Sequence, residues 1–171
     1  MCEGGGRPAL TVRRLLPLRR DGFSLWETMG EYVADAAIRK MIEAGQAPRK
    51  SRVAIFGLTF KENCPDIRNS KVNDAIRRLE SYGVAPIVVD PWASAVETRK
   101  EYGVELVPIE EVANVDCVIV AVAHDAFREI GLSRIKEMFR ACPDGEKVLI
   151  DVKGIFSISD LRASGMLWWR L

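Results

Sequence analysis

The residues best equipped for chemistry crowd into one stretch, Gly57-Leu-Thr-Phe-Lys-Glu-Asn-Cys-Pro-Asp-Ile-Arg-Asn-Ser70. Lys61 and Arg68 can neutralise phosphate, Arg68 through two parallel hydrogen bonds. Ser70 stands where it can cap a following helix, whose first amides also favour an anion. Phe60 can stack on a base or pack in a core. The same residues also read as a solvated loop with one core phenylalanine. Two further groups stand out. His124 is the sole histidine, which excludes a multi-histidine metal site and leaves it the one side chain that titrates near neutrality. It follows an apolar run, and Asp125 beside it could cap the next helix. The four cysteines (Cys2, Cys64, Cys117, Cys142) are widely spaced with no CxxC pair, so neither a zinc ribbon nor a disulfide framework is indicated and a reducing cytoplasm is the default.

The elements that must carry this loop follow from hydrophobic periodicity. Val53 to Gly57 reads as a buried strand, and the loop after it is long for a strand-to-helix connection, usually about 2 to 6 residues. Val72 to Tyr82 repeats as a helix. Strands are expected at Val84–Val89, Glu105–Val107, Val115–Val122, Lys147–Val152 and Met166–Arg170. Helices are expected at Ala95–Tyr102, Ile109–Ala113, Leu132–Phe139 and Ile158–Ala163, the last after a Ser157 cap. Strands that are apolar throughout and alternate with helices predict a doubly wound, Rossmann-like α/β domain with a parallel sheet of five or six strands. Such sheets bind ligands at the carboxyl ends of their strands, which places the 57–70 loop and the turns after Val89, Val122 and Val152 there. Of Trp168 and Trp169, alternating in the last strand, one is expected in the core and the other exposed at a subunit contact.

The chain divides into three. Residues 1–23 hold five arginines against the two acids Glu3 and Asp21 and read as a poorly ordered leader or an Arg-rich targeting segment. Residues 24–47 form a long helix, with a capping box at Ser24 and Glu27 and a seam of Leu25, Met29, Tyr32, Val33, Ala36, Ala37 and Met41. That seam must be buried, and its partner could be another chain. Residues 48–171 make the α/β domain. The longest apolar run there, Cys117 to Ala123, is far short of the roughly 20 residues a membrane-spanning helix needs. A formal net charge of +1 gives no electrostatic case for nucleic acid or an anionic membrane.

The loop now carries a resemblance. The run Gly57 to Val72 is similar to the signature loop in the carboxyl-terminal domain of the UDP-glucose/GDP-mannose dehydrogenase family. Asp90-Pro91 and Asp151-Val-Lys-Gly154 also fit that family's pattern, and Met29-Gly-Glu-Tyr-Val-Ala34 resembles the end of its central dimerisation helix. Asn63-Cys64-Pro65-Asp66 with Asn69-Ser70-Lys71 looks most like the branch acting on UDP-N-acetylated hexosamines. The likeness spans about residues 29–171. It implies an enzyme that oxidises a primary alcohol to a carboxylate with NAD, in which this domain holds the UDP-sugar. Phe60, Lys61 and Lys153 then match substrate-binding positions, Arg68 matches an arginine that reaches NAD, and the helix 24–44 implies a cytoplasmic homodimer.

Two parts of that enzyme have no counterpart in these 171 residues. A GxGxxG dinucleotide fingerprint is absent, since Gly4-Gly5-Gly6 follows no strand and Gly57 stands alone. The family's nucleophilic cysteine lies in a Gly-x-Cys segment, and no cysteine here has that setting. Cys64 falls in the binding loop, and no activating partner is identifiable for Cys2, Cys117 or Cys142. The chain alone is therefore expected to be inactive, with no catalytic residue and no metal. Two other readings remain: a dimeric interaction module that no longer binds nucleotide, and a free-standing enzyme using Cys64.

Overall fold

The computed structural model describes residues 28–171. The expected leader and the Ser24–Glu27 capping box lie outside those residues. Helix α1 (Met29–Glu43) comes first. It is followed by β1 (Val53–Phe56), α2 (Val72–Ser81), β2 (Ile87–Val89), α3 (Ala95–Tyr102), β3 (Cys117–Val120), α4 (Asp125–Glu137), β4 (Val148–Asp151), α5 (Ile158–Ala163) and β5 (Leu167–Arg170). The strands form one parallel sheet in the order β2-β1-β3-β4-β5, so the doubly wound fold is as expected, with five strands.

Every side chain of β1, β3 and β4 is buried, because helices cover both faces. The register sets the two cores. Val88, Ile55, Ile119, Ile150 and Trp169 form one row across the sheet, facing α1 and α2. Ile87, Ala54, Val118, Leu149 and Trp168 form the next row, facing the opposite way. Trp168 and Trp169 are therefore both half-buried on opposite faces, and neither is the exposed subunit contact expected. Trp169 meets the Tyr32 ring edge-on at 5.8 Å.

Helix α1 packs against the α/β sheet and α2. Val33, Ala34, Ala37, Ile38 and Met41 are buried against the sheet and α2, so the seam is covered within the chain. Gly30 allows the close crossing: a Cβ there would stand 2.2 Å from the Lys71 carbonyl oxygen. Asp35 accepts from Arg78 Nε at 2.8 Å and from the Tyr82 hydroxyl at 2.9 Å, clamping the two helices. Burial would raise the Asp35 pKa, but those two bonds outweigh it and hold the carboxyl below its usual range.

Other elements differ from expectation. Glu105–Val107 is no sixth strand, and only Leu106 bridges, to Val88. Residues 109–111 form a single 3₁₀ turn. Helix α4 starts at Asp125, seven residues before the predicted start at Leu132, and breaks at Gly131, whose φ is 73°. The Ser157 cap on α5 is present, its hydroxyl accepting from the Asp160 amide. Among the described residues, no helix is long and apolar enough to cross a membrane.

Candidate functional site

The loop leaves β1 through a backbone that only glycine suits. Gly57 has φ 96°, and a Cβ there would lie 2.4 Å from Val122 Cβ. The next amides meet a buried acid at the carboxyl end of β2. Leu58 and Thr59 donate their N–H groups to Asp90 Oδ2 at 2.6 and 3.0 Å, while Trp92 and Ala93 donate to Oδ1 at 2.8 and 2.9 Å. Burial pushes the Asp90 pKa up, yet the bonds from His124, Leu58, Thr59 and Trp92 prevail, so the carboxyl sits far below its ordinary range.

The loop then folds back on itself. Phe60 N–H donates to the Asp66 carbonyl at 2.7 Å, and the Ile67 side chain is buried. Asn63 and Asn69 turn the chain in left-handed conformations, at φ 53° and 58°, which a short amide side chain tolerates. Ser70 Oγ accepts from the Val72 amide at 3.2 Å, but Lys71 and not Ser70 holds the N-cap position of α2. Asp125 is no cap: His124 occupies the N-cap position, and Asp125 Oδ2 instead accepts from Asn63 Nδ2 at 2.8 Å.

His124 does not face a ligand space. It is fully buried, with Nδ1 accepting from the Asn63 N–H at 2.9 Å. Its Nε2 lies 3.0 Å from Thr59 Oγ1 and 3.2 Å from Asp90 Oδ2. A strand-end histidine was legible as ligand-facing; the loop that covers it was not. The other strand-end acid, Asp151, the last residue of β4, is also buried. It accepts from the Ile155 and Phe156 amides at 2.9 and 3.2 Å and from Arg170 at 2.8 Å. The sequence signal for both acids was an aspartate at the carboxyl end of an apolar strand.

These supports hold exposed side chains around two hollows. The first, about 540 Å³, lies at the carboxyl ends of β1, β3 and β4, bounded by Phe60, Lys71, Val122, Lys153, Leu171 and Met29. Phe60 is 59% exposed, which excludes the core role and leaves its ring face available. The second, about 760 Å³, separates the loop from α3 and is lined by Cys64, Arg68, Glu97 and Lys100 among others. Phe60 and Lys153 thus share one hollow and Arg68 borders the other, while Lys61 is exposed outside both linings. Lys71, which the sequence reading passed over as a site residue, joins the first hollow because α2 begins there.

Arg68 pairs with Asp66 through Nε and a terminal nitrogen, both at 2.9 Å, and the Arg68 side chain is 80% exposed. The guanidinium lowers the Asp66 pKa to about 2. A dinucleotide pyrophosphate needs free amides at the first strand-to-helix turn. Here the Leu58 and Thr59 amides are spent on Asp90, so this turn does not fit NAD. Cys117 lies buried in β3, which pushes its thiol pKa far up and removes it as a nucleophile.

Residues 54–158 match the sequence profile of the UDP-glucose/GDP-mannose dehydrogenase family, UDP binding domain. UDP-N-acetyl-D-glucosamine 6-dehydrogenase of Salmonella typhi is 39% identical over 145 residues, which is 82% of this chain and 33% of that protein. The protein CapL of Staphylococcus aureus is 34% identical over 83% of this chain and 32% of its own length. The structure of NDP-N-acetyl-D-galactosaminuronic acid dehydrogenase from Methanosarcina mazei superposes with a TM-score of 0.73 at 20% identity, covering 84% of this chain and 29% of that one. That likeness shows the fold. The chain belongs to the UDP-glucose/GDP-mannose dehydrogenase family and carries its UDP-binding domain. It spans about a third of the length of the curated relatives it matches.

Proposed function

We propose that the chain is the UDP-sugar-binding portion of an NAD-dependent UDP-N-acetylhexosamine 6-dehydrogenase of the cytoplasm. The observation that carries this reading is the hollow at the carboxyl ends of β1, β3 and β4, with an exposed phenyl ring and an exposed ammonium on its rim, in a domain of the UDP-binding type. In this proposal Phe60 offers its face to the nucleotide base, and Lys61 and Lys153 neutralise the diphosphate. Arg68 leaves Asp66 to contact NAD held by another domain. In the complete reaction a primary alcohol becomes a carboxylate and the hydrides pass to NAD. The residues of this chain bind and orient the substrate, and none supplies the nucleophile.

The domain division follows from the same reading: residues 48–171 bind UDP, residues 24–47 belong to the central helical region, and residues 1–23 precede it as a leader. With the seam of Val33, Ala37 and Met41 buried within the chain, a homodimer through this helix would use its outer face, where Glu31, Arg39 and Ile42 are exposed.

Calorimetric titration of UDP and UDP-N-acetylglucosamine into the 171-residue chain tests the reading. Saturable binding is expected, with no reduction of NAD. Lys61→Ala is expected to weaken binding by roughly 1.5 to 3 kcal/mol, the worth of a charge-assisted contact. A folded chain that binds neither ligand would favour the non-enzymatic interaction module, and turnover by the chain alone would refute the binding-portion reading.

A further inference from the structure

We propose that His124 is a positioning residue that presents Phe60 and Lys61 to the substrate, a role that rests on the nucleotide-sugar reading above. Thr59 and Asn63 flank the two exposed side chains, and both bond to the His124 ring, Thr59 through its hydroxyl and Asn63 through its amide. Thr59 Oγ1 also stands 3.1 Å from the Lys61 carbonyl, to which it donates. A second pair of bonds ties the Asn63 side chain to the Asp125 carboxylate and the Asp125 amide to Asn63 Oδ1. The loop is thus fastened at residues 59 and 63 to the turn between β3 and α4, with the Lys61 carbonyl tied to Thr59 inside the loop, while the side chains of Phe60 and Lys61 stay exposed. A segment held in its binding conformation before the ligand arrives loses less freedom on binding.

The neighbours assign the proton. The Asn63 N–H leaves Nδ1 only the acceptor role, so the hydrogen is on Nε2. Thr59 has committed its own hydrogen to Lys61 and therefore accepts from Nε2, sharing that hydrogen with Asp90 Oδ2. Among the described residues, Asp90 is the one charged group in direct contact with the ring; Phe127 of α4 meets it edge-on at 5.4 Å, and Asp125 lies one residue further out, behind Asn63. A second proton would sit on Nδ1 and face the Asn63 N–H, donor against donor.

Because the chain has a single histidine, a long-range proton–nitrogen spectrum of the labelled full chain reports this ring alone. The expected result is one neutral tautomer with the hydrogen on Nε2 and a slowly exchanging Asn63 amide. A hydrogen on Nδ1, or rapid averaging between tautomers, would overturn the proposal. Two variants separate positioning from mere packing. His124→Asn keeps an oxygen acceptor near the Nδ1 position, whereas His124→Phe keeps the ring volume and loses the acceptor. His124→Phe is expected to speed Asn63 exchange and weaken UDP binding roughly tenfold. His124→Asn is expected to recover most of the affinity. Equal Asn63 exchange in the two variants would contradict the tether. If the wild-type chain binds no UDP, the nucleotide reading fails by itself, while the tautomer and the exchange rates still decide whether His124 holds the loop.

Discussion

Asp90, just past β2, and Asp151, the last residue of β4, lie one register position apart at the carboxyl edge of the sheet, and the fold uses them differently. Both are buried acids at the carboxyl end of a parallel strand, and both gather backbone amides from a turn. Asp151 also holds a cation, Arg170, so its charge is balanced within the pair. Among the described residues, Asp90 has no lysine or arginine partner and is stabilised by four amides and a histidine. The difference matches what each turn carries. The turn at Asp151 is short and ends in α5. The loop at Asp90 is long and exposes Phe60 and Lys61, so it needs several neutral donors spread along it. One ion pair would fix one point.

The comparison can be broken in order of expected effect. Asp90→Asn should cost most. An amide offers one acceptor oxygen where the carboxylate uses two, and at least two buried N–H groups lose their partner, for a loss of about 3 kcal/mol in denaturant unfolding. Asp151→Asn should cost about 2 kcal/mol, because one oxygen can still serve Arg170. Equal losses would show that the spread of donors at Asp90 carries no extra weight. The pH dependence has a definite sign. A carboxyl whose folded pKa is depressed adds stability that is complete above its unfolded pKa, about 3.9, and is lost as pH falls from there toward the folded pKa. Wild-type stability should therefore drop below about pH 4, and Asp90→Asn should flatten part of that slope. Stability independent of pH in that range would contradict the assignment.

The smallest effect is expected at Arg68. Its pair with Asp66 is exposed, so Arg68→Gln should leave stability almost unchanged. The same change should return the Asp66 pKa from about 2 toward 3.8, readable from its carboxyl carbon shift. An unmoved Asp66 would mean that the loop backbone, and not the guanidinium, sets its acidity.

Much of the fold was legible because burial on both faces writes itself into sequence. Val53–Phe56, Cys117–Val120 and Val148–Asp151 stand out as apolar runs. Glu105–Val107 looked similar but pairs at one residue only, a matter of partner geometry that periodicity does not encode. The start of α4 was hidden because Gly131 breaks the helical repeat. The seam of α1 announced a buried face without saying what buries it, and the answer is its own sheet and α2. The candidate binding loop was visible from its length and its cations. The bonds that shape it were not, since Thr59, Asp90 and His124 are brought together from three separate segments, up to 65 positions apart.

The most direct test of the central claim is to map UDP onto the folded chain by amide chemical shifts. The account predicts that Phe60, Lys61, Asn63 and Lys153 respond in a saturable titration, while Arg140 and Glu146, which pair at the opposite end of the sheet, stay still. Saturable shifts centred on Arg140 and Glu146, or no saturable shift in the 57–70 loop, would contradict it.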